Sequence, residues 1–87
     1  MDEGAVLEVV RRVTAEVLPG LDPAAVTADG TTLTDLGANS IDRADIVTMA
    51  MEELGVVIPV RELGRVHDIG SLVALLQEYA TWLSRST

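Results

Sequence analysis

Apolar residues recur at helical spacing over the first stretch of the chain. Val6, Val10, Val13 and Val17 fall on one face, with Val9 beside them. That period predicts an amphipathic helix from about Glu3 to Leu18. Glu8 and Arg12 stand i,i+4 with the acid first, the order that favours an ion pair of about 0.3 kcal/mol. Pro19-Gly20 ends the helix. A second pattern covers Ser40 to Leu54, where Ile46, Ala50 and Leu54 lie one turn apart, flanked by Ala44 and Val47. Gly55 follows as a left-handed cap. A third runs from Ile69 to about Leu83, with Asp68 as its N-cap. It buries Leu72, Val73, Leu76 and either Tyr79 or Ala80. The apolar link Val56-Val57-Ile58-Pro59 and a short helical piece at Val60 to Gly64 lie between the second and third helices.

The connection between the first two helices, PGLDPAAVTADGTTLTDLGAN, covers residues 19–39. Loops of this length are uncommon unless they pack or carry function. Leu21, Val26, Leu33 and Leu36 are spaced to tuck underneath it as anchors. Asp22-Pro23 is expected to open a single helical turn. Val-rich segments also suit strands, but the helical spacing of the first and last segments outweighs that preference. The expected fold is all-α: a small four-helix bundle of three main helices and one short one. Residues 1–87 form a single domain without repeats or low-complexity tracts.

Composition narrows the chemistry. Apolar residues make up 48 % of the chain and aromatics 2 %, with Tyr79, Trp82 and no Phe, so the core must be aliphatic. Fourteen acids against six arginines give a formal charge of −8. That balance argues against nucleic acid, whose affinity rests on cations neutralising phosphates, and against an anionic membrane surface. It suits a basic protein partner or plain solubility. With no Cys and one His, neither a disulfide nor a protein-built zinc site is expected. No apolar run approaches the ~20 residues of a membrane span, and the acidic N-terminus lacks the layout of a signal peptide. A soluble, cytoplasmic monomer is expected.

The candidate chemistry is concentrated in TDLGANSIDR, residues 34–43. Gly37 frees the backbone for a turn. Asn39 is a strong N-cap residue, and Asp42 stands three positions on in a capping-box relation. If Asn39 caps, Ser40 falls in the first turn, beside unpaired N–H groups at the positive end of the helix dipole. A phosphate attached there meets favourable electrostatics. The alternative is that Ser40 is itself the cap and nothing more. A catalytic serine is not expected: residues 38–42 read ANSID, without the G-x-S-x-G elbow. The one histidine, His67, lies in another linker with no evident acid–base role. TADG at 27–30 lacks the oxygen ladder of a calcium loop and reads as a turn.

Three segments carry a resemblance that spans nearly the whole chain: LTDLGANSID (33–42), ADIVTMAMEELGVVIP (44–59) and DIGSLVALL (68–76). In this order and spacing the chain resembles the acyl carrier proteins. The resemblance implies that Ser40 carries 4′-phosphopantetheine through a phosphodiester, which makes the chain a phosphoprotein. The arm ends in a thiol that holds an acyl group as a thioester. A chain without cysteine would thus do thioester chemistry and need no catalytic residue of its own. It would be a protein-bound substrate of partner enzymes, a phosphopantetheinyl transferase and an acyltransferase among them.

The same resemblance makes the second helix the docking face. Asn39, Ile41, Asp42, Arg43, Asp45, Met51 and Glu52 are the candidate contacts, with Glu53 part of the acidic run. A solvated helix face is the plain alternative for each acid, and Met49 and Met51 can equally fill core. Asn39 departs from the family's usual Asp, keeping the cap but losing a charge. Arg43 and Met51 are departures too, and point to a more selective interface. GANSIDRADIV (37–47) is similar to stand-alone donor carriers of polyketide β-branching cassettes. Those hold malonyl, then acetyl after a decarboxylating ketosynthase has acted, and present it to a hydroxymethylglutaryl-synthase-like enzyme. The competing readings are an ordinary polyketide or fatty-acid chain-extension carrier and, from another class, an acidic helical adaptor with no prosthetic group.

Overall fold

The computed structural model describes residues 2–86, with side chains as far as Thr81. Four α-helices follow one another: α1 (Glu3–Val17), α2 (Ser40–Leu54), α3 (Val60–Leu63) and α4 (Ile69–Ser86). A 3-10 turn at Pro23–Ala25 interrupts the long connection, and no strand occurs among the described residues. The turn is opened by Asp22, whose carboxylate accepts the Ala24 N–H at 3.0 Å, with Pro at its start.

Helix α1 is the hub. It packs on α2, on α4 and on the 3-10 turn. Val6, Val10 and Val13 are buried along its inner face, while Val9 and Val17 are partly buried against the same cluster. Leu33 and Val26 reach the core from the connection, and Ile69, Leu72, Val73, Leu75, Leu76 and Ala80 reach it from α4. Thr14 is the one buried polar side chain of the described core. Its hydroxyl donates to the Val10 carbonyl at 2.6 Å, so its burial leaves no unmet donor.

Several expectations are corrected. Glu8 pairs with Arg11, one turn away, and Arg12 crosses to Glu53 on α2. Arg11 also donates to the Val26 carbonyl at 3.0 Å, which ties the connection to α1. Those tertiary acceptors decide which i+3 or i+4 arginine Glu8 meets. Ala44 is exposed and does not flank the buried stripe of α2, which narrows to Ile46 and Ala50. Helix α1 stops at Val17, with Leu18 as its cap, and α3 ends at Leu63. Helix α4 continues to Ser86, past the expected Leu83. The Trp82 side chain and the end of the tail lie outside the described residues.

Candidate functional site

The site is assembled from short-range bonds. Leu33 is buried and its carbonyl accepts the N–H groups of Leu36 and Ala38, each at 3.1 Å. Gly37 N–H donates to the Thr34 carbonyl at 3.0 Å and sits at φ 97°, where a side chain would be strained. Thr32 and Asp35 close the front of this turn reciprocally: Thr32 N–H donates to the Asp35 carboxylate at 3.1 Å, and Asp35 N–H to the Thr32 hydroxyl at 2.9 Å. Ala38, 5 % exposed, then plugs into the core and delivers the chain to Asn39.

Asn39 is the N-cap of α2. Its side-chain oxygen accepts the Asp42 N–H at 2.8 Å, and the Asp42 carboxylate accepts the Asn39 N–H at 3.1 Å. The first helical bond runs from Arg43 N–H to the Asn39 carbonyl at 2.9 Å. Ser40 is therefore the first helical residue and not the cap. It is exposed, and its hydroxyl has no hydrogen-bond partner among the described residues. The capping box satisfies the N–H of Asp42. The Ser40 and Ile41 N–H groups, which begin the helix, find no partner among the described residues.

The other candidates spread outward along α2. Ile41 stands 71 % exposed beside Ser40, and Asp45 and Glu52 face solvent. Met51 is half-buried against the core, as is Met49. Arg43 reaches back to donate to the Thr34 hydroxyl at 3.1 Å. It lines a cleft of about 80 Å³ with Thr32, Leu33, Thr34, Val66, His67 and Asp68. His67 is exposed; its ring lies 3.3 Å from the Arg65 carbonyl through Nδ1 and 3.6 Å from the Asp68 carboxylate through Nε2, and its backbone N–H donates to the Ser71 hydroxyl at 3.0 Å. It is remote from any serine–base arrangement.

Two features escaped the sequence reading. The Thr32–Asp35 box is one; the other is its counterpart at the start of α4. There the Asp68 carboxylate accepts the Ser71 N–H at 2.7 Å, and the Ser71 hydroxyl accepts the Asp68 N–H at 3.0 Å. That first bond holds the Asp68 carboxyl below the usual aspartate range. The signal was present in both T-x-x-D and D-x-x-S, polar pairs three apart at element starts. Among the described residues no His, Cys, Asp and Glu cluster could hold a metal, and no helix is long and apolar enough to cross a membrane.

Ser40 is thus an exposed serine on the first turn of a helix, carried by a self-bonded turn. Residues 6–76 match the family described as the phosphopantetheine attachment site. The chain belongs to that family, and it is an acyl carrier protein. It is 41 % identical over 78 residues to the polyketide biosynthesis acyl-carrier-protein AcpK of Bacillus subtilis (strain 168), an overlap of 90 % of this chain and 94 % of that protein. It is 36 % identical to an acyl carrier protein of Phenylobacterium zucineum (strain HLK1), covering 84 % of this chain and 91 % of the relative. An acyl carrier protein of Helicobacter pylori (strain G27) is 31 % identical over 85 % of this chain and 94 % of its own length. The prosthetic group of the family is 4′-phosphopantetheine. Such carriers are generally non-catalytic and are served by phosphopantetheinyl transferases and acyltransferases.

The residues at the tip of α2 fit that group. The Ser40 oxygen faces solvent and is uncommitted. The N–H groups beside it are unpaired among the described residues, and the positive end of the helix lies under it.

Proposed function

We propose that Ser40 is the attachment point, and that the chain is a donor carrier for polyketide β-branching, holding malonyl and then acetyl. The single observation that carries the first part is the free Ser40 hydroxyl at the first position of α2, framed by the Asn39–Asp42 box. During attachment the Ser40 oxygen forms the bond to phosphorus, its proton passes to a base of the transferring enzyme, and the nucleotide half of coenzyme A leaves. The bound arm supplies a thiol on which acyl groups travel as thioesters. Everything else the chain does is to hold and present that oxygen.

Support for the second part comes from the run GANSIDRADIV and from the likeness to a carrier whose name includes polyketide biosynthesis. In this reading the partners are a decarboxylating ketosynthase and a hydroxymethylglutaryl-synthase-like enzyme. They would meet Asn39, Ile41, Asp42, Arg43, Asp45, Met51 and Glu52 on one helix beside the arm. Ile41 supplies an exposed apolar contact at the centre, with charge around it. Family membership argues against an adaptor that carries no prosthetic group.

The test is intact-protein mass spectrometry after a phosphopantetheinyl transferase is supplied with coenzyme A, malonyl-coenzyme A or acetyl-coenzyme A. One phosphopantetheinyl addition located at Ser40 is expected, and none on Ser40→Ala. A folded chain left unmodified by a competent transferase refutes the attachment site. The donor role is tested separately, by acetyl delivery to a hydroxymethylglutaryl-synthase-like enzyme. Efficient delivery to an elongating ketosynthase in its place assigns the chain to chain extension.

A further inference from the structure

Arg43 has a charge the fold does not use. Arg11, Arg12 and Arg65 each meet a carboxylate. Arg43 meets none among the described residues, although the chain carries fourteen acids. Its partner is the neutral Thr34 hydroxyl, at 3.1 Å. The carboxylates next to it at the helix start and around the cleft are engaged elsewhere, and Asp45, two positions on, does not share its face of the helix. Asp42 accepts the Asn39 N–H, Asp35 accepts the Thr32 N–H, and Asp68 accepts the Ser71 N–H. A guanidinium without a counter-ion is thus kept over the start of α2 by one bond to an uncharged acceptor.

Its position points at Ser40. Residues three apart on a helix are surface neighbours, and long helical side chains lean back over the turn N-terminal to their own Cα. The bond to Thr34, which precedes α2 in the chain, shows Arg43 leaning in that direction. A phosphodiester on Ser40 adds a permanent negative charge within the sweep of this side chain. A guanidinium–phosphate pair joins two opposite charges and is frequently bidentate, whereas the Thr34 hydroxyl is a single neutral acceptor, so the hydroxyl loses the competition. The neutral Asn39 cap leaves no carboxylate of its own to compete for the arginine.

We infer that Arg43 is a positioning residue for the phosphodiester of the arm, released from Thr34 when Ser40 is loaded. This rests on the assignment of Ser40 as the attachment point. The consequence is a molecule with two states at its tip. Before loading, Arg43 straps α2 to the turn at Thr34 across the cleft. After loading, it anchors the root of the arm, narrows the directions in which the arm leaves the helix, and frees Thr34.

The experiment uses the full chain, labelled with nitrogen-15 and converted with a phosphopantetheinyl transferase and coenzyme A, with loading verified by intact mass. Phosphorus-31 and amide spectra are recorded at low and high salt for wild type, Arg43→Gln, Arg43→Lys and Thr34→Val. In wild type, loading is expected to displace the Arg43 Nε–H and Thr34 amide resonances, and added salt to move the phosphorus resonance by screening the pair. In Arg43→Gln the phosphorus resonance is displaced from wild type and loses its salt response. Its Thr34 amide does not move on loading. Arg43→Lys restores part of the salt response, because it returns the charge without the planar fork. Thr34→Val keeps the wild-type phosphorus position. The inference is overturned if loaded wild type and Arg43→Gln share one phosphorus position at both salt levels while the Arg43 Nε–H stays put on loading. A chain that gains no mass at Ser40 overturns the attachment site and this inference together. Mass gain without the spectral differences overturns this inference alone.

Discussion

Gly70 lies directly against the backbone of Ala28: a methyl group on Gly70 would stand 3.0 Å from the Ala28 carbonyl oxygen. Nearby, the Ile69 N–H donates to the Thr31 carbonyl at 3.0 Å, so the long connection is seated on the start of α4 at two points. Gly70→Ala gains helix propensity, at most ~1 kcal/mol. It must also push back a stretch of backbone that is held by its own bonds. Overpacking of this kind costs about 1–3 kcal/mol, and the clash wins because the obstructing atom is main chain. A lower denaturation midpoint is expected in urea; an unchanged or raised midpoint would show that the connection yields freely.

Leu76, on α4, is fully buried in the same core cluster as the inner-face valines of α1. Leu76→Ala is expected to cost about 2–5 kcal/mol, a large part of the stability of a domain this small. Equilibrium unfolding by circular dichroism measures it, and a loss below ~1 kcal/mol would contradict the packing of α4 described above.

The cap and the hydroxyl separate cleanly by mutation. Asn39→Ala removes the acceptor for the Asp42 N–H and is expected to destabilise the chain by about 1 kcal/mol. Ser40→Ala touches no described hydrogen bond, so the melting curve is expected to stay within about 0.5 kcal/mol of wild type while all phosphopantetheine loading is lost. Paired melting and mass measurements on the two variants check this. Equal destabilisation would return Ser40 to a capping role.

Acid should weaken the fold through two identified carboxylates. The Thr27 and Thr31 hydroxyls hold Asp29 below its ordinary range, and the Ser71 backbone N–H does the same for Asp68. A carboxyl with a lowered folded-state pKa stabilises fully above its unfolded value of about 3.9, and that contribution fades as pH falls through the lower folded value. Asp29→Asn and Asp68→Asn are therefore expected to be less stable than wild type at neutral pH, with the gap closing below about pH 4. Urea titrations across that range would reveal a contrary result as a gap independent of pH.

Salt should act in the opposite sense to its usual effect on surface pairs. The chain carries a formal charge of −8, and self-repulsion of that charge is screened on the scale of ~10 Å at 0.1 M salt. Exposed bridges such as Arg12–Glu53 each contribute only about 0–1 kcal/mol, so screening the net repulsion dominates. The midpoint of thermal unfolding is expected to rise between low and moderate sodium chloride. A fall would mean that the ion pairs outweigh the repulsion.

Helix α2, expected over about Ser40 to Leu54, is legible because both of its ends are written in local chemistry. Asn39 and Asp42 make the capping box, and Gly55 closes the helix at φ 69°. The aliphatic face of α1 and the anchors Val26 and Leu33 were legible for the same reason, since spacing alone puts them inside. What depended on partners distant in sequence was not. The choice of Arg11 over Arg12 by Glu8 turns on the Val26 carbonyl and on Glu53, which no local pattern records. The bond from Arg43 to Thr34 spans nine positions and links two elements whose approach only the folded chain defines. The exposure of Ala44 follows from the narrowness of the buried stripe of α2, and periodicity alone overstates that width.

The link that follows α2 alternates in burial like a strand although no strand occurs among the described residues: Val56 is 4 % exposed, Val57 85 % and Ile58 4 %. Successive side chains of an extended segment point to opposite sides, so the parity of this stretch, and not only its oiliness, is what seats two residues and turns one away. Inserting a single residue after Gly55 would swap the insiders for the outsider and shift α3 along with them. Length here is under as tight a constraint as identity, and a natural variant that changes it by an odd number would have to rebuild the floor beneath the short helix.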